Sequence, residues 1–397
     1  MNNKKTNIVI TGYPYAYPYY FKVFEYAENK VDLVFILPKR WEAKKGKVKI
    51  DLKDKTGFKI YGLPAWSFGG KSLFGGLFKG WMPAMCLILP YIRLKYSPGV
   101  IYSCSEPNLL TTLFNGFWAK ILGFKHVLFT WQNVPPKARM SGLKLKLSNF
   151  LVKINLAFSD GVICGNKKAQ NIIVQVFKFP ISKTIVCPLS GVDVVKFKPG
   201  IVSDCKEKLG IGDEKVILFY GALEKRKGID VLLDAFVEIC NLKIENCKLI
   251  LVGTGPEGEN LKLKVQSLKL KDKVVFLDWV DNSKLPDYLD ASDVFVYPSV
   301  PFGGWEEQFG YAMAEASACC IPVVATKTGS INEVVLNGES GILVEPNNPS
   351  QLAEAINKII SNPELAKKMG KFGREYVVGN FSQPVIANKI LSFLKRF

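Results

Sequence analysis

Histidine is almost missing from this chain: its 397 residues contain one, His126. A zinc site of the His/Cys kind therefore lacks half of its usual ligands. The nine cysteines do not make up the difference, since none forms a C-x-x-C pair and only Cys319 and Cys320 are adjacent. Most lie in apolar runs such as Val162-Ile163-Cys164 and read as small core hydrophobes. Long apolar runs are lacking too. Trp81–Ile92 is uncharged but short, with Pro83 and Pro90, and Gly99–Ala119 is interrupted by Glu106-Pro107 and asparagines. Neither reads as a transmembrane helix. The start, MNNKKTNIVITG, passes from polar residues into a short apolar run. It reads as a first strand rather than a signal peptide and predicts cytoplasmic residence.

Acidic residues are scarce in one half only. Residues 1–190 hold 28 lysines and arginines against 8 aspartates and glutamates, a balance of +20, whereas residues 191–397 hold 25 against 27. Such one-sided charge argues for an anionic partner: nucleic acid, an anionic membrane surface or an acidic substrate. A solvated lysine-rich face explains it as well. The segment Leu73–Tyr96 mixes Phe, Leu and Trp with Lys79, Arg93 and Lys95. That mixture suits either a membrane interface or a buried core helix.

What is abundant is apolar material, 48% of residues, in a length that predicts two domains. Short β-branched runs alternate with helical periods. The expected strands are Asn7–Thr11, Asp32–Leu37, Val100–Tyr102, His126–Thr130, Gly161–Cys164 and Thr184–Cys187. A second series follows at Lys215–Tyr220, Lys248–Val252, Lys273–Leu277, Val294–Tyr297, Pro322–Ala325 and Gly341–Val344. Near-continuous apolar strands separated by helices predict parallel sheets and an α/β fold of two doubly wound, Rossmann-like domains facing across a cleft. The linker candidate is Pro188–Glu214, giving domains 1–188 and 189–380. Helices are expected at Pro349–Ser361 and Pro363–Val378, and a last one within 381–397 could pack back on the N-terminal domain.

Two segments carry chemistry. In Leu218–Asp230 (LFYGALEKRKGID) a strand runs into a basic, glycine-flanked turn before a helix, which suits phosphate or a solvated surface turn. In Pro298–Ala318 (PSVPFGGWEEQFGYAMAEASA), Glu307 and Glu315 are eight apart, which would place both near one face of a helix, with Glu307 at its start. A carboxylate among Tyr311, Ala312, Met313, Ala314 and Ala316 needs a partner, and sugar hydroxyls are suitable donors. Phe309-Gly310-Tyr311 offers backbone N–H groups at the helix start, a seat for a diphosphate.

The second half resembles the donor domain of the GT-B glycosyltransferases of family 4, the group 1 glycosyl transferases. The ordered signals are Gly221 to Gly228 (G-x-L-x-x-x-K-G), LVGTGPEGENL (Leu251–Leu261), VVFLDWV (Val274–Val280), ASDVFVYPS (Ala291–Ser299), the Glu307/Glu315 pair, IPVVATKTGSINEVV (Ile321–Val335) and NGESGILVEPNNPSQLAEAI (Asn337–Ile356). The first half resembles the family loosely, through a glycine-bearing loop after the first strand and GVDVVKFKP (Gly191–Pro199).

The resemblance implies a retaining transferase that moves a sugar from a nucleotide-sugar donor, with no metal and no cofactor. Lys227 would bind the donor phosphates, with Arg226 beside it, and Glu307 the hydroxyls of the donor sugar. Glu315 would hold the ribose, and Phe309, Gly310 and Tyr311 would form the diphosphate seat. Val280 would meet the base, Glu333 would support this shell, and Gly12 would approach the diphosphate from the other domain. Catalytic roles fall to Glu307, Lys227 and Gln132, and acceptor roles to Glu106, Gln132 and Asn133. Three departures from the family pattern stand out: Ala222 where arginine is common, Cys319-Cys320 where glycine is usual, and Trp131-Gln132-Asn133 where many members carry histidine. His126, at a strand start, reads as structural. The basic half would serve a sugar or lipid-linked sugar acceptor and an anionic membrane surface, on the inner face of the cytoplasmic membrane, in surface polysaccharide or glycolipid assembly.

Alternatives remain at this level. Gly253 to Gly258 fits G-x-G-x-x-G, with Asp278 about 20 residues on, as in nicotinamide- or flavin-binding enzymes. An epimerase would share the two-domain shape. A basic nucleic-acid-binding protein would need a reading motif that the sequence lacks, so nucleic acid is not an expected partner.

Overall fold

The computed structural model describes residues 6–27, 31–43, 46–49, 58–66, 76–200, 204–241 and 246–397. Within the segment Leu73–Tyr96, residues 73–75 lie outside these. The chain forms two compact units, one made of Met1–Gly191 with Gln383–Phe397 and the other of Val192–Ser382.

The first unit is built on β1 (Thr6–Thr11), β2 (Val31–Pro38), β5 (Lys59–Leu63), β6 (Val100–Ser103), β7 (Lys125–Thr130), β8 (Gly161–Cys164) and β9 (Thr184–Val186). Between β2 and β5, a separate antiparallel ribbon pairs β3 (Arg40–Ala43) with β4 (Gly46–Lys49). The main sheet is parallel in the order β5-β2-β1-β6-β7-β8-β9. Ile8, Val9 and Ile10 of β1 and Ile101 of β6 are fully buried, as expected of central strands covered on both faces. The helix Met85–Tyr96 buries Met85, Leu89 and Ile92, spaced four and three apart, against this sheet. Its other face carries Leu87, Tyr91 and Leu94, all exposed. The buried side is that of a core helix.

The second unit is built on β10 (Lys215–Tyr220), β11 (Cys247–Val252), β12 (Val274–Leu277), β13 (Val294–Tyr297), β14 (Val323–Thr326) and β15 (Gly341–Val344). Its order is β12-β11-β10-β13-β14-β15. The helix Pro349–Ile360, capped by the Asn348 side chain accepting from Gln351 N–H at 3.0 Å, packs on the helix Ile229–Asn241. The expected linker is partly core of this unit: Val192, Phe197, Cys205 and Ile211 are buried.

Both orders have the same logic. In each sheet the first strand of the series lies in the middle, the next strands extend to one side, and the fourth main-sheet strand begins the other side. The direction reverses between β1 and β6 and between β10 and β13. At such a switch point the loops leaving the carboxyl ends of the two strands diverge and open a crevice.

Candidate functional site

The loops leaving β10 and β13 carry the second unit's charged constellation. After Tyr220 the chain turns at Gly221 and reaches the short turn Lys225–Lys227, which ends at Gly228 with φ of +62°. A Cβ on Gly228 would lie 2.0 Å from the Pro298 carbonyl oxygen, and Val300 N–H donates to the Arg226 carbonyl at 3.0 Å. The two loops are thereby locked together. Lys227 is turned inward, where its Nζ donates to Glu307 Oε2 at 2.7 Å and to the Tyr297 hydroxyl. Tyr297 donates to the same Glu307 oxygen at 2.7 Å, and Ser299 at 3.4 Å. Beside them the Arg226 guanidinium stacks 4.1 Å over the Trp305 ring, and its Nε donates to Glu224 at 2.6 Å.

Burial alone would push the Glu307 carboxyl up. The Lys227 ammonium, the hydrogen bonds from Lys227 and Tyr297, and the Arg226 charge outweigh it and hold Glu307 below the ordinary carboxylate range. Glu307 is therefore ionised at neutral pH, while burial lowers the Lys227 pKa against the pull of the Glu307 charge. Tyr297 is pushed well above its usual pKa, by burial and then by the Glu307 charge, so it remains a proton donor.

Glu307 is not on the helix. The helix runs Tyr311–Ala318 and starts at Gly310, whose φ of +83° is left-handed and stops the helix from extending back. Glu307 lies in the loop before it, where its carbonyl accepts from Ser330 N–H at 2.9 Å. A Cβ on Gly329 would come within 1.9 Å of that carbonyl. The two acids thus do not share a helix face, yet both are buried. Glu315, inside the helix, accepts from the Tyr220 hydroxyl at 2.7 Å. Burial, then the Glu315 charge, pushes Tyr220 well up, which keeps it protonated and donating.

The other expected donor-side residues are placed as follows. Phe309 is buried against Tyr311 and Phe381, with ring centroids 4.8 and 5.1 Å apart. It anchors the turn that aims the Gly310 and Tyr311 backbone at the helix start. Val280 follows β12, half-buried, and Glu333 lies in the short turn Ile331–Glu333, where its carbonyl accepts from Tyr376 at 3.0 Å. Cys320, at the usual glycine position, adopts φ of +62°.

Three glycines of the G-x-G-x-x-G reading have a local explanation. A Cβ on Gly253 would lie 1.9 Å from the Gly221 carbonyl oxygen, and one on Gly255 2.3 Å from that of Leu223. The close backbone approach is to the neighbouring loop, and a Cβ on Gly258 would meet only the Leu223 side chain at 3.6 Å. Asp278 is exposed.

In the first unit the corresponding switch point lies at Gly12 and Cys104. Gly12 has φ of +138°, and a Cβ there would sit 2.4 Å from the Cys104 carbonyl oxygen. Just beyond, Glu106 accepts from Thr130 Oγ1 at 2.7 Å and from Trp131 N–H at 2.9 Å. Burial raises its pKa against the pull of those bonds and of Arg139 and Lys79. Gln132 and Asn133 are buried. Gln132 donates to Asn108 Oδ1 at 2.8 Å and accepts from Arg139 at 3.0 Å. Glu106 is thus a tethered, polar-shielded carboxylate rather than a surface group. His126 is fully buried between the Phe158 carbonyl (3.3 Å) and Ser103 Oγ (2.9 Å), and burial lowers its pKa to about 4. It is neutral at physiological pH and structural. Among the described residues no group of three or more His, Cys, Asp or Glu is arranged to hold a metal ion.

Sequence reasoning missed Tyr220, Tyr297, Glu224 and Trp305 in one unit and Thr130, Asn108 and Arg139 in the other. A signal for the tyrosines was available: each is the last residue of a strand that flanks the switch point.

Two Rossmann-like units with these strand orders define the GT-B fold class. Residues 203–376, which contain the Lys227–Glu307 constellation, match the sequence profile of the family described as glycosyl transferases group 1, and match and fold together support the GT-B group 1 superfamily. A GDP-mannose-dependent alpha-(1-6)-phosphatidylinositol monomannoside mannosyltransferase of Mycolicibacterium smegmatis is 32% identical over 195 residues, 48% of this chain and 51% of that protein. The chain spans about half the length of most of the curated relatives it matches. Among solved structures, a glycosyltransferase from Rickettsia africae superposes with a TM-score of 0.75 at 21% identity, covering 99% of this chain and 98% of that one. Anabaena HepE in complex with UDP does so with a TM-score of 0.75 at 19% identity, covering 99% and 100%. At these identities the likeness is one of fold.

Proposed function

We propose that the protein is a retaining glycosyltransferase that moves a sugar from a nucleotide-sugar donor to a sugar or lipid-linked sugar acceptor, in surface polysaccharide or glycolipid assembly. The observation that carries it is the buried Lys227–Glu307 ion pair, closed by Tyr297, at the switch point of a sheet whose sequence matches the group 1 family. Support for the donor class comes from the relative named for GDP-mannose and from the fold neighbour bound to UDP.

In this mechanism the bond between the donor's anomeric carbon and the phosphate oxygen breaks as the acceptor hydroxyl oxygen bonds to that carbon, and the hydroxyl proton passes to the departing phosphate oxygen. Lys227, Arg226 and the N-terminal dipole at Gly310–Tyr311 stabilise the charge that develops on the departing diphosphate. Glu307 accepts from hydroxyls of the donor sugar, and Glu315 from those of the ribose. Val280 meets the base through its backbone, and Glu333 supports that shell. Gln132, an amide with no proton to lose at neutral pH, positions the acceptor with Asn133 and Glu106 rather than transferring protons. No metal or cofactor is assigned a step.

A thermal-shift screen of the full chain against UDP-, GDP- and ADP-sugars tests the donor class. One of them is expected to raise Tm and to be turned over with acceptor, and Glu315→Ala is expected to lower transfer at least about 100-fold. Flat melting curves with every donor, together with undiminished transfer by the Glu315→Ala protein, would overturn the proposal.

A further inference from the structure

Three helices of the first unit, Met85–Tyr96, Leu110–Ile121 and Gly142–Ala157, lie in the connections from β5 to β6, β6 to β7 and β7 to β8. All three crossovers advance in the same direction across the sheet. Right-handed connections that advance one way place their helices on one face, and the three pack side by side in that order. Their outward surfaces therefore form one continuous layer.

That layer has an unusual composition. The 40 residues of the three helices contain no aspartate or glutamate. On the first helix Leu87 and Leu94 are 77% and 85% exposed, either side of exposed Tyr91. On the second, Phe117 and Ile121 are exposed beside Lys120. On the third, Leu143 (82% exposed), Leu147 and Phe150 recur at i, i+4 and i+7, with exposed Lys144, Lys146 and Lys153 between and beyond them. Single exposed leucines are ordinary, but contiguous apolar stripes mark an interaction surface. Within the three helices each stripe is flanked by cations alone; at the border of the layer Asp160 is ion-paired with Lys125 at 2.9 Å and lies within electrostatic reach of Lys120. An aliphatic stripe bordered by lysines, with no acid on its own helix, complements an anionic lipid bilayer: the apolar side chains enter the acyl boundary and the ammonium groups meet the headgroups. At 12, 12 and 16 residues, the helices are shorter than the roughly 20 needed to span a bilayer, so they would lie along the surface.

We infer that this three-helix face docks the protein on an anionic membrane, with the helix Gly142–Ala157 as its main contact. The inference concerns a face of the first unit and does not require the transferase reading, since docking is read without donor or acceptor.

The test is co-sedimentation of the full chain with vesicles of phosphatidylcholine alone or with about one third phosphatidylglycerol. Strong binding is expected only to the anionic vesicles. Triple reversal K144E/K146E/K153E is expected to weaken partitioning by about 100-fold, at roughly five-fold per lysine. The apolar variant L143S/L147S/F150S is expected to weaken it at least about tenfold at unchanged salt. These side chains are exposed, so both variants should melt like the parent protein, and any donor-induced Tm shift should be retained. Equal binding to both vesicle types, no binding to either, or binding indifferent to the two variants would overturn the inference. So would a concentration-dependent dimer that L143S/L147S/F150S dissociates in the absence of vesicle binding, which would make the face a contact between copies.

Discussion

Lys227 Nζ lies 2.7 Å from Glu307 Oε2, and both side chains are less than a tenth exposed. Removing one charge strands the other in a poorly solvated place, which costs about 3–5 kcal/mol. Lys227→Met should therefore destabilise the second unit by that amount. Adding Glu307→Leu should restore most of the loss in a denaturant titration while leaving donor binding abolished. If the double variant is no more stable than the single one, the buried pair does not have the energetics assigned to it.

Arg226 is held by Glu224 at 2.6 Å, so its guanidinium is shared with a carboxylate that competes with any phosphate. Glu224→Gln removes that competitor's charge while keeping its size. The nucleoside diphosphate of whichever donor raises Tm should bind about 3–10-fold tighter to the variant, since a charge-assisted contact is worth about 1.5–3 kcal/mol and part of it is recovered. Calorimetric titration reads this directly, and weaker binding would mean that Glu224 positions Arg226 instead.

His126 is neutral in the folded protein down to about pH 4, whereas in an unfolded chain it protonates near pH 6.5. Between those values the unfolded state binds the extra proton, so the stability is present above about pH 6.5 and lost as pH falls toward 4. The ceiling is about 3 kcal/mol. Unfolding free energies at pH 7 and pH 4.5 should show the parent losing more than His126→Asn does. Because the chain has one histidine, its imidazole NMR signal can be followed without assignment, and a folded pKa near 6.5 would contradict the burial argument.

Cys320 occupies a left-handed conformation with φ of +62°, which costs a non-glycine residue about 1–2 kcal/mol. Cys320→Gly removes that strain and pays back about 0.5–1 kcal/mol in chain entropy. A net gain of about 0.5–1 kcal/mol is expected in the urea midpoint, with transfer activity unchanged. A loss of stability would show that the thiol packs usefully enough to offset its backbone.

Much of the architecture was legible in the sequence because parallel strands buried on both faces leave unbroken apolar runs. All twelve expected strands are present, most within one or two residues of the expected ends. The edge strand Lys59–Leu63 and the ribbon Arg40–Ala43/Gly46–Lys49 were not seen. The first is short and half-buried, and the second is lysine-rich and leaves no apolar signature. At the candidate site, residue type and order single out Lys227, Glu307 and Glu315; the structure joins Lys227 to Glu307 and places Glu307 in the loop before the helix rather than at its start. An eight-residue spacing says nothing about Gly310, whose positive φ separates the two acids. Tyr220 and Tyr297 escaped notice because a tyrosine ending an apolar strand looks like core until the adjacent loops bring an acid to its hydroxyl.

The helix Gln383–Leu394 packs on the turn Lys22–Tyr26, and Phe397 lies where a Cβ on Gly161 would be 2.6 Å from its ring. Ile386, Ile390 and Phe393 from this stretch are core of the first unit. The ribosome therefore delivers the last piece of that unit only after finishing the whole of Val192–Ser382, which is contiguous and can fold as it emerges. The unit begun first is completed last, and until then its unfinished core is the nascent chain's exposed apolar surface.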